Sequence, residues 1–210
     1  MGNNKFFKNF LMRLRFILIL IGLLLFSKTF AQYFDGGLLA GITASQIDGD
    51  DLGGYHKPGI TAGIWVGRKI NFTWSYRAEL KYIQKGAAAT KPTNLYTVYR
   101  KTLHYIELPV VVHYKFSSKL YAEGGLSVAY LAYASLFVDN QRHNATDSMK
   151  KIECNALLGL TYQFNKNLSM NFRFSYSIFP VSHLPGNLTI WNTYAQYNNV
   201  ISLSVYYKIN

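Results

Sequence analysis

The fold is decided by residues 167–178, which read NLSMNFRFSYSI. Apolar and aromatic side chains from Leu168 to Ile178 alternate with polar ones, Arg173 among them. Alternation sustained over this length is typical of a β-strand with one apolar face and one polar face. The same period recurs clearly at 105–116, 152–164 and 201–209, and less regularly at about 36–45, 59–70, 72–85 and 119–133. We therefore predict an all-β chain of eight strands.

The lengths of the strands and of their connections indicate a membrane barrel. The predicted strands run to roughly 10–15 residues, whereas strands of soluble sheets average about five or six and membrane-spanning strands need about 9–11. Tight links alternate along the chain with long ones, and outer-membrane barrels alternate tight periplasmic turns with longer external loops. The tight links are 70–72, 116–119 and 164–167, and the long ones are 46–58, 86–101, 134–151 and 179–199. This pattern predicts an eight-stranded antiparallel up-and-down transmembrane β-barrel with short periplasmic turns and long external loops.

Aromatic residues are concentrated where the predicted strands end. Membrane barrels carry aromatic girdles at both interfaces with water, whereas the packing of a soluble core would spread aromatics along the strands. One set lies beside the tight turns: Phe72, Trp74, Tyr114, Phe116, Tyr162, Phe164 and Tyr207. A second set falls near the opposite rim: Tyr82, Tyr130, Tyr176, Phe179, Trp191 and Tyr194. Two girdles are therefore expected.

Composition excludes several other classes of protein. In 210 residues, aromatic side chains make up 16% and charged ones 15%, with a mean hydropathy near zero. A helical membrane bundle would need several long apolar runs, and a disordered chain could not keep so many aromatics in water. The single cysteine, Cys154, excludes a disulfide framework and a cysteine metal cluster.

The first 31 residues read as a secretion signal. Lys5, Lys8, Arg13 and Arg15 precede an apolar core at 16–26, and small residues follow at 29 and 31. The core falls short of the roughly 20 residues needed to span a membrane, so cleavage after Ala31 is expected. Residues 32–210 then form the barrel domain. A chain that leaves the cytoplasm is not expected to bind nucleic acid, despite its formal charge of +12.

The polar face of the strands should fill the lumen, because eight strands enclose a space just wide enough for side chains. Both signs of charge occur on it, and buried charges must be paired. The sequence therefore predicts a structural polar plug, in which Arg77, Glu79, Glu123 and Arg173 lie at similar depth. A path for protons or ions through the same groups is the alternative. The predicted lumen network comprises Arg77, Glu79, Lys81, Glu107, His113, Lys115, Glu123, Glu153 and Arg173.

We expect no catalytic residue, no cofactor and no metal site. Ser182 precedes His183, and Asp147 and Ser148 lie near His143, but neighbours on an extended chain point to opposite sides and do not make a triad. The acidic loop at 48–51 lacks the twelfth-position glutamate of a calcium loop. The leading hypothesis is a non-enzymatic integral protein with a structural, adhesive or accessory role. A lipid or peptide hydrolase at the external rim and a passive pore are the alternatives.

Four stretches carry a resemblance to a known family. They are GGLLAGITAS at 36–45, YHKPGITAG at 55–63, AELKYIQKG at 78–86 and YIELPVVVHYKF at 105–116. They resemble the PorT-like outer-membrane β-barrel family of Gram-negative bacteria, over essentially all of residues 32–210. The resemblance implies residence in the cell outer membrane, contact with its lipid, and recognition of the last strand by the barrel-assembly machinery. Ile209 stands where this family usually has phenylalanine. The family name also implies a second role, as a component of a protein-secretion apparatus.

Overall fold

The computed structural model describes residues 34–50, 53–89, 99–138, 141–182 and 195–209. The expected signal peptide at 1–31 lies outside these residues, as do Asp51, His183, Trp191 and Tyr194. A single 3-10 turn, Thr146–Ser148, interrupts the strands of the described part. The strands are β1 Asp35–Asp48, β2 Lys57–Lys69, β3 Trp74–Ala88, β4 Arg100–Lys115, β5 Leu120–Val138, β6 Gln141–Asn144, β7 Ile152–Gln163, β8 Leu168–Ser177 and β9 Tyr197–Ile209.

Eight of these strands form a closed antiparallel ring. The order around it is β4, β3, β2, β1, β9, β8, β7 and β5, and pairing of β5 with β4 closes the barrel. The ring confirms the predicted eight-stranded barrel. The short β6 is additional and pairs with the outer end of β5. Among the described residues, no helix is both long and apolar enough to cross a membrane.

Strand β5 extends further than its sequence pattern predicts. Alternation ends near residue 133, but the strand continues to Val138, and β6 lies inside the predicted loop 134–151. The reason is a bulge: Tyr105 of β4 pairs with Leu131 whereas His104 pairs with Tyr133. One extra residue in β5 changes which side chains face inward, so the two-residue period is interrupted although the strand is not.

Two of the three tight periplasmic turns are stabilised by asparagine side chains. Asn71 Oδ1 accepts hydrogen bonds from the backbone amides of Thr73 and Trp74, each at 2.8 Å. Asn165 Oδ1 likewise accepts hydrogen bonds from the backbone amides of Asn167, at 2.9 Å, and Leu168, at 2.8 Å. Such turns satisfy backbone donors locally, which allows the chain to reverse within four residues.

The outer face of the barrel is apolar and carries aromatics at its periplasmic end. All seven aromatics of the first predicted set are exposed, and Trp74 packs on Tyr114 with ring centres 4.9 Å apart. Of the second set, Tyr130 and Phe179 are exposed, and Tyr82 and Tyr176 are half-buried. The face between them carries exposed aliphatic side chains that include Ile42, Ile64, Leu108, Leu126, Leu158 and Leu203.

The external half of the lumen is filled by an apolar cluster, which two external loops complete. Met149 is 1% exposed and forms an isolated bridge with Ser182, and the Lys150 amide donates to the Val181 carbonyl at 2.8 Å. These contacts bring loop residues into the mouth of the barrel. The apolar cluster comprises Ile47, Ile83, Ala87, Leu103, Tyr105, Ala129, Leu131, Ala134, Ala145, Met149, Val181 and Val200.

Candidate functional site

The periplasmic half of the lumen is organised around Arg173 of β8. Its guanidinium donates two parallel hydrogen bonds to Glu79 of β3, both at 2.8 Å. It donates two more to Glu123 of β5, at 2.6 and 3.2 Å. All three side chains are buried. Bidentate guanidinium–carboxylate pairs are among the stronger hydrogen-bonded contacts. Arg173 therefore connects three strands that are not neighbours in the ring.

Gly159 of β7 makes this arrangement sterically possible. In the register of the sheet, Gly159 lies between Glu123 on one side and Arg173 on the other. A Cβ atom at this position would lie 2.6 Å from Glu123 Oε1 and 2.6 Å from the backbone oxygen of Phe172. Both are closer than van der Waals contact allows. The missing side chain thus provides the space in which the two charged groups meet.

Further groups complete this cluster, which we call the Arg173 lattice. Tyr206 donates a hydrogen bond to Glu79 Oε1 at 2.9 Å, and His113 Nε2 lies 2.9 Å from Glu123 Oε2. Arg77 lies 3.9 Å from Glu79, with its guanidinium over the rings of Tyr206, at 4.3 Å, and Trp65, at 5.2 Å. The Arg173 lattice therefore comprises Trp65, Arg77, Glu79, His113, Glu123, Arg173 and Tyr206.

A second cluster, the Lys85 lattice, lies nearer the external end. Lys85 Nζ is 2.9 Å from Glu153 Oε1 and 3.5 Å from Glu107 Oε2. Ser127 donates to Glu107 at 2.6 Å, and Asn198 donates to Glu153 at 2.8 Å. All these side chains are buried. Both oxygens of Glu153 thus accept a hydrogen bond, whereas Glu107 accepts one from Ser127 and has the ammonium of Lys85 3.5 Å from its second oxygen. Each buried carboxylate therefore has a cation beside it, as buried charges require.

Lys81 connects the two lattices to each other, and Tyr105 connects the Lys85 lattice to the apolar cluster. Lys81 Nζ lies 3.8 Å from Glu79 of the Arg173 lattice, and in the sheet Lys81 pairs with Glu107 of the Lys85 lattice. Tyr105 belongs to the apolar cluster, but its ring lies 5.1 Å from Lys85 Nζ. The lumen therefore contains one continuous series of contacts from the polar half to the apolar half.

Opposite charges balance within the two lattices. The ion pairs of the described lumen join four basic side chains to four acidic ones, with His113 in addition. The basic residues are Arg77, Lys81, Lys85 and Arg173, and the acidic ones are Glu79, Glu107, Glu123 and Glu153. A balanced interior avoids the large cost of burying a charge without a partner.

Eight of the nine residues predicted for the lumen lie in or between these lattices. The exception is Lys115, which is half-buried at the periplasmic end, 6.0 Å from the ring centre of Tyr121. The predicted lumen network does not include Lys85 and Tyr206. Both lie on the polar face of their strands, so the two-residue period is sufficient to predict that they face the lumen. No sequence signal marks Trp65, Ser127 or Asn198 as contacts of the charged groups. The lumen residues predicted from the sequence are Arg77, Glu79, Lys81, Glu107, His113, Lys115, Glu123, Glu153 and Arg173.

Two of the residues considered for catalysis have separate surroundings. His143 is exposed on β6, and Ser148 Oγ donates to the Ala145 carbonyl at 2.8 Å. A further histidine, His104, has its Nδ1 atom 2.6 Å from the hydroxyl of Tyr82. Within the described ranges, no group of three or more His, Cys, Asp or Glu side chains is arranged to hold a metal ion.

The closed ring, its apolar outer face and the paired charges of its lumen define an integral β-barrel membrane protein. The chain belongs to the outer membrane protein beta-barrel domain family, whose model matches residues 27–183. This membership confirms the predicted location in the outer membrane. No curated protein matched the sequence.

Three solved outer-membrane proteins have a similar fold. Neisserial surface protein A is 16% identical with a TM-score of 0.57, over 85% of this chain and 100% of that one. The attachment invasion locus protein Ail of Yersinia pestis is 12% identical with a TM-score of 0.48, over 85% and 100%. OprG from Pseudomonas aeruginosa is 13% identical with a TM-score of 0.37, over 84% and 94%. At such identities a likeness describes the fold alone.

Proposed function

We propose that this protein is a closed, non-enzymatic barrel that anchors its external loops in the outer membrane, in a structural or accessory role. The observation that carries the proposal is the position of Arg173, which joins Glu79 and Glu123 across the lumen. The guanidinium reaches from β8 to the carboxylate of Glu79 on β3, the opposite strand of the ring, and also binds Glu123 on β5. It therefore occupies the space through which ions would have to pass. The lumen network acts as a plug in this proposal.

Two layers of different chemistry support closure. The Arg173 and Lys85 lattices pair four basic side chains with four acidic ones, so the charges that fill the middle of the lumen are bound to one another. Beyond them, the apolar cluster packs around Leu103 and Leu131, each with 0% exposure. Hydrated ions are excluded from apolar constrictions. An ion would therefore have to disrupt both layers in order to cross.

The external rim supports the non-enzymatic assignment. A serine nucleophile needs a base within hydrogen-bonding reach. Ser148, the candidate nearest to His143 in sequence, uses its hydroxyl to bind the Ala145 carbonyl instead. Replacing His143 and His183 together with alanine should leave lipid and peptide turnover by outer-membrane preparations unchanged. A loss of turnover would favour the hydrolase alternative.

Planar-bilayer recording tests closure directly. The refolded wild-type protein should show no steady conductance steps. A variant that carries serine at positions 79, 123 and 173 and alanine at Leu103 and Leu131 should conduct, because both layers are reduced. Alanine at the lipid-facing Leu108, Leu126 and Leu158 is the matched control and should remain silent. Steady conductance by the wild-type protein would contradict the proposal.

Membership of a protein-secretion apparatus is a second, narrower candidate. Its support is the resemblance at 105–116, and the structure accounts for part of that motif by packing, since Glu107 binds Lys85 and Ser127 inside the lumen. Deletion of the gene should impair secretion if this role is correct. Reproducible co-purification of envelope proteins from detergent-solubilised outer membrane would identify the apparatus, and a normal secretion profile would exclude it.

A further inference from the structure

The periplasmic end of the lumen contains a polar cavity adjoining the Arg173 lattice. Its volume is about 130 Å³, several times the roughly 30 Å³ that one water molecule occupies in the liquid. Side chains of the lattice form its inner wall, including Trp65, Arg77 and Tyr206. The rim is formed by the strand ends and the turn after β7, with Lys69, Lys166 and Lys208 among its residues. A small molecule in the periplasm can therefore approach the closed lumen from this side.

The walls of this cavity are strongly basic. The lining includes five basic residues, Arg68, Lys69, Arg77, Lys166 and Lys208. Among the described residues that line it, Asp35 is the only acid, and it forms an ion pair with Lys208. Glu79 and Glu123, the nearest buried carboxylates, are bound by Arg173. A cleft with walls of one sign and a low dielectric concentrates ions of the opposite sign.

Two donors of the inner wall have no acceptor. Arg77 Nη1 lies 3.9 Å from Glu79 Oε1, too far for a hydrogen bond, and has no other acceptor among the described residues. Trp65 Nε1, on the ring beneath the same guanidinium, likewise has none within the described part of the chain. The rings of Trp65 and Tyr206 hold the guanidinium of Arg77 in place. Both of these atoms are buried, but 13% of the Arg77 side chain is accessible and lines the cavity. Arg77 is thus a fixed cation, part of which faces the cavity.

We propose that this cavity binds a small, multiply charged oxyanion from the periplasm. Arg77 is its principal contact, because a guanidinium matches the geometry of phosphate and carboxylate oxygens. Lys69 and Lys166 attract the anion at the rim. The volume limits the ligand to a molecule of a few non-hydrogen atoms or to the charged end of a larger one. Phosphate and carboxylate groups share this chemistry.

Isothermal titration of the refolded barrel in a zwitterionic detergent tests the proposal. Pyrophosphate is the first probe and citrate is the second. We expect saturable binding of pyrophosphate at one site, weakened about tenfold or more by Arg77→Gln, since a charge-assisted contact is lost. Arg142→Gln is the matched control: it removes the same charge from the exposed external strand β6 and should leave affinity unchanged. Citrate binding to the same site would extend the ligand class to carboxylates, and binding of pyrophosphate alone would restrict it to phosphates.

A second variant keeps the test decisive if Arg77→Gln fails to fold. Lys69 and Lys166 are exposed at the rim, so Lys69→Gln with Lys166→Gln should preserve the barrel, as the heat-modifiable gel mobility would verify. This double variant should weaken pyrophosphate binding several-fold. Absence of saturable binding to the wild-type protein would overturn the proposal. If Arg142→Gln weakened pyrophosphate binding as much as Arg77→Gln does, the proposal would also be overturned, because the anion would then be attracted by the net charge of the protein and not bound in the cavity.

Discussion

The two halves of the lumen are filled by different kinds of contact. In the periplasmic half, Arg173 is bound to Glu79 and Glu123, each on another strand. In the external half, the side chains of Leu103, Leu131 and Met149 pack through apolar contacts. Directional networks fail when a single partner is removed, whereas apolar packing loses free energy in proportion to the atoms deleted. The comparison therefore predicts an abrupt response in one half and a graded response in the other.

The largest effect is expected from Arg173→Met. Without the guanidinium, Glu79 and Glu123 remain buried and lose the four shortest hydrogen bonds from a charged donor, keeping only the longer contacts of Arg77 and Lys81 and the neighbours Tyr206 and His113. The free energy of unfolding should fall by about 3–5 kcal/mol, as for other broken buried pairs. Urea unfolding in lipid vesicles measures it, together with the temperature at which the compact gel mobility is lost.

Neutralising one partner of Arg173 at the same time provides the control for that substitution. Arg173→Met combined with Glu123→Gln removes one charge of each sign and leaves Glu79 paired with Arg77 and Lys81. Such replacements are often close to neutral, so the double variant should recover most of the loss. If Arg173→Met alone unfolds like the wild-type protein, the lattice does not stabilise the barrel.

Met149→Ala tests the apolar half, where a smaller loss is expected. Met149 is 1% exposed in the cluster but lies on a loop segment that can close around the space left. The loss should therefore be about 2–3 kcal/mol, in the lower part of the range for such truncations. Met170→Ala, on the outer face of β8, is the control and should cost less. Equal losses would indicate that the loop does not contribute to the core in the membrane.

Gly159→Ala should disturb the Arg173 lattice without removing any of its charges. The new Cβ would lie 2.6 Å from the backbone oxygen of Phe172, so the strand itself must shift. We expect a loss of about 1–2 kcal/mol by urea unfolding, as for other overpacked positions. Gly124→Ala is the matched control, because its nearest neighbour would be 3.8 Å away. An identical response at both glycines would contradict the steric role of Gly159.

The smallest effect is expected from Lys208→Gln at the periplasmic rim. Its pair with Asp35 is partly exposed, with 23% and 32% of the two side chains accessible. Exposed pairs contribute about 0–1 kcal/mol, and salt screens them. Unfolding in low and high salt should differ little between this variant and the wild-type protein. A loss comparable to that of Arg173→Met would show that depth in the lumen does not control the strength of these pairs.

Sequence patterns predicted the ring because a strand in a membrane barrel must alternate between lipid and lumen. The two-residue alternation is enough to predict that Glu79, Glu123 and Arg173 lie on the inner face of the barrel. It could not predict that Tyr206 donates to Glu79, because contacts across a lumen depend on the tilt and shear of the whole ring. These quantities belong to the closed sheet and not to any one strand.

The external end was the least predictable part. The bulge at Ala132 interrupts the period of β5, and the sequence therefore gave no reason to extend the strand to Val138. The burial of Met149 and Val181 was also missed, because both lie in segments that read as exposed loops. Loop residues follow no period, and their packing depends on which strands surround the mouth.

The short strand β6 has a consequence for association between copies of the barrel. Closure of the ring gives each of its eight strands a partner on both sides, and within the described residues β6 pairs only with β5. The free edge of β6 spans Gln141–Asn144, is exposed and carries Arg142 and His143. Short, charged edges resist pairing with further strands. The barrel thus extends a short segment of sheet beyond its external end without exposing an edge to which strands of neighbouring copies would readily add.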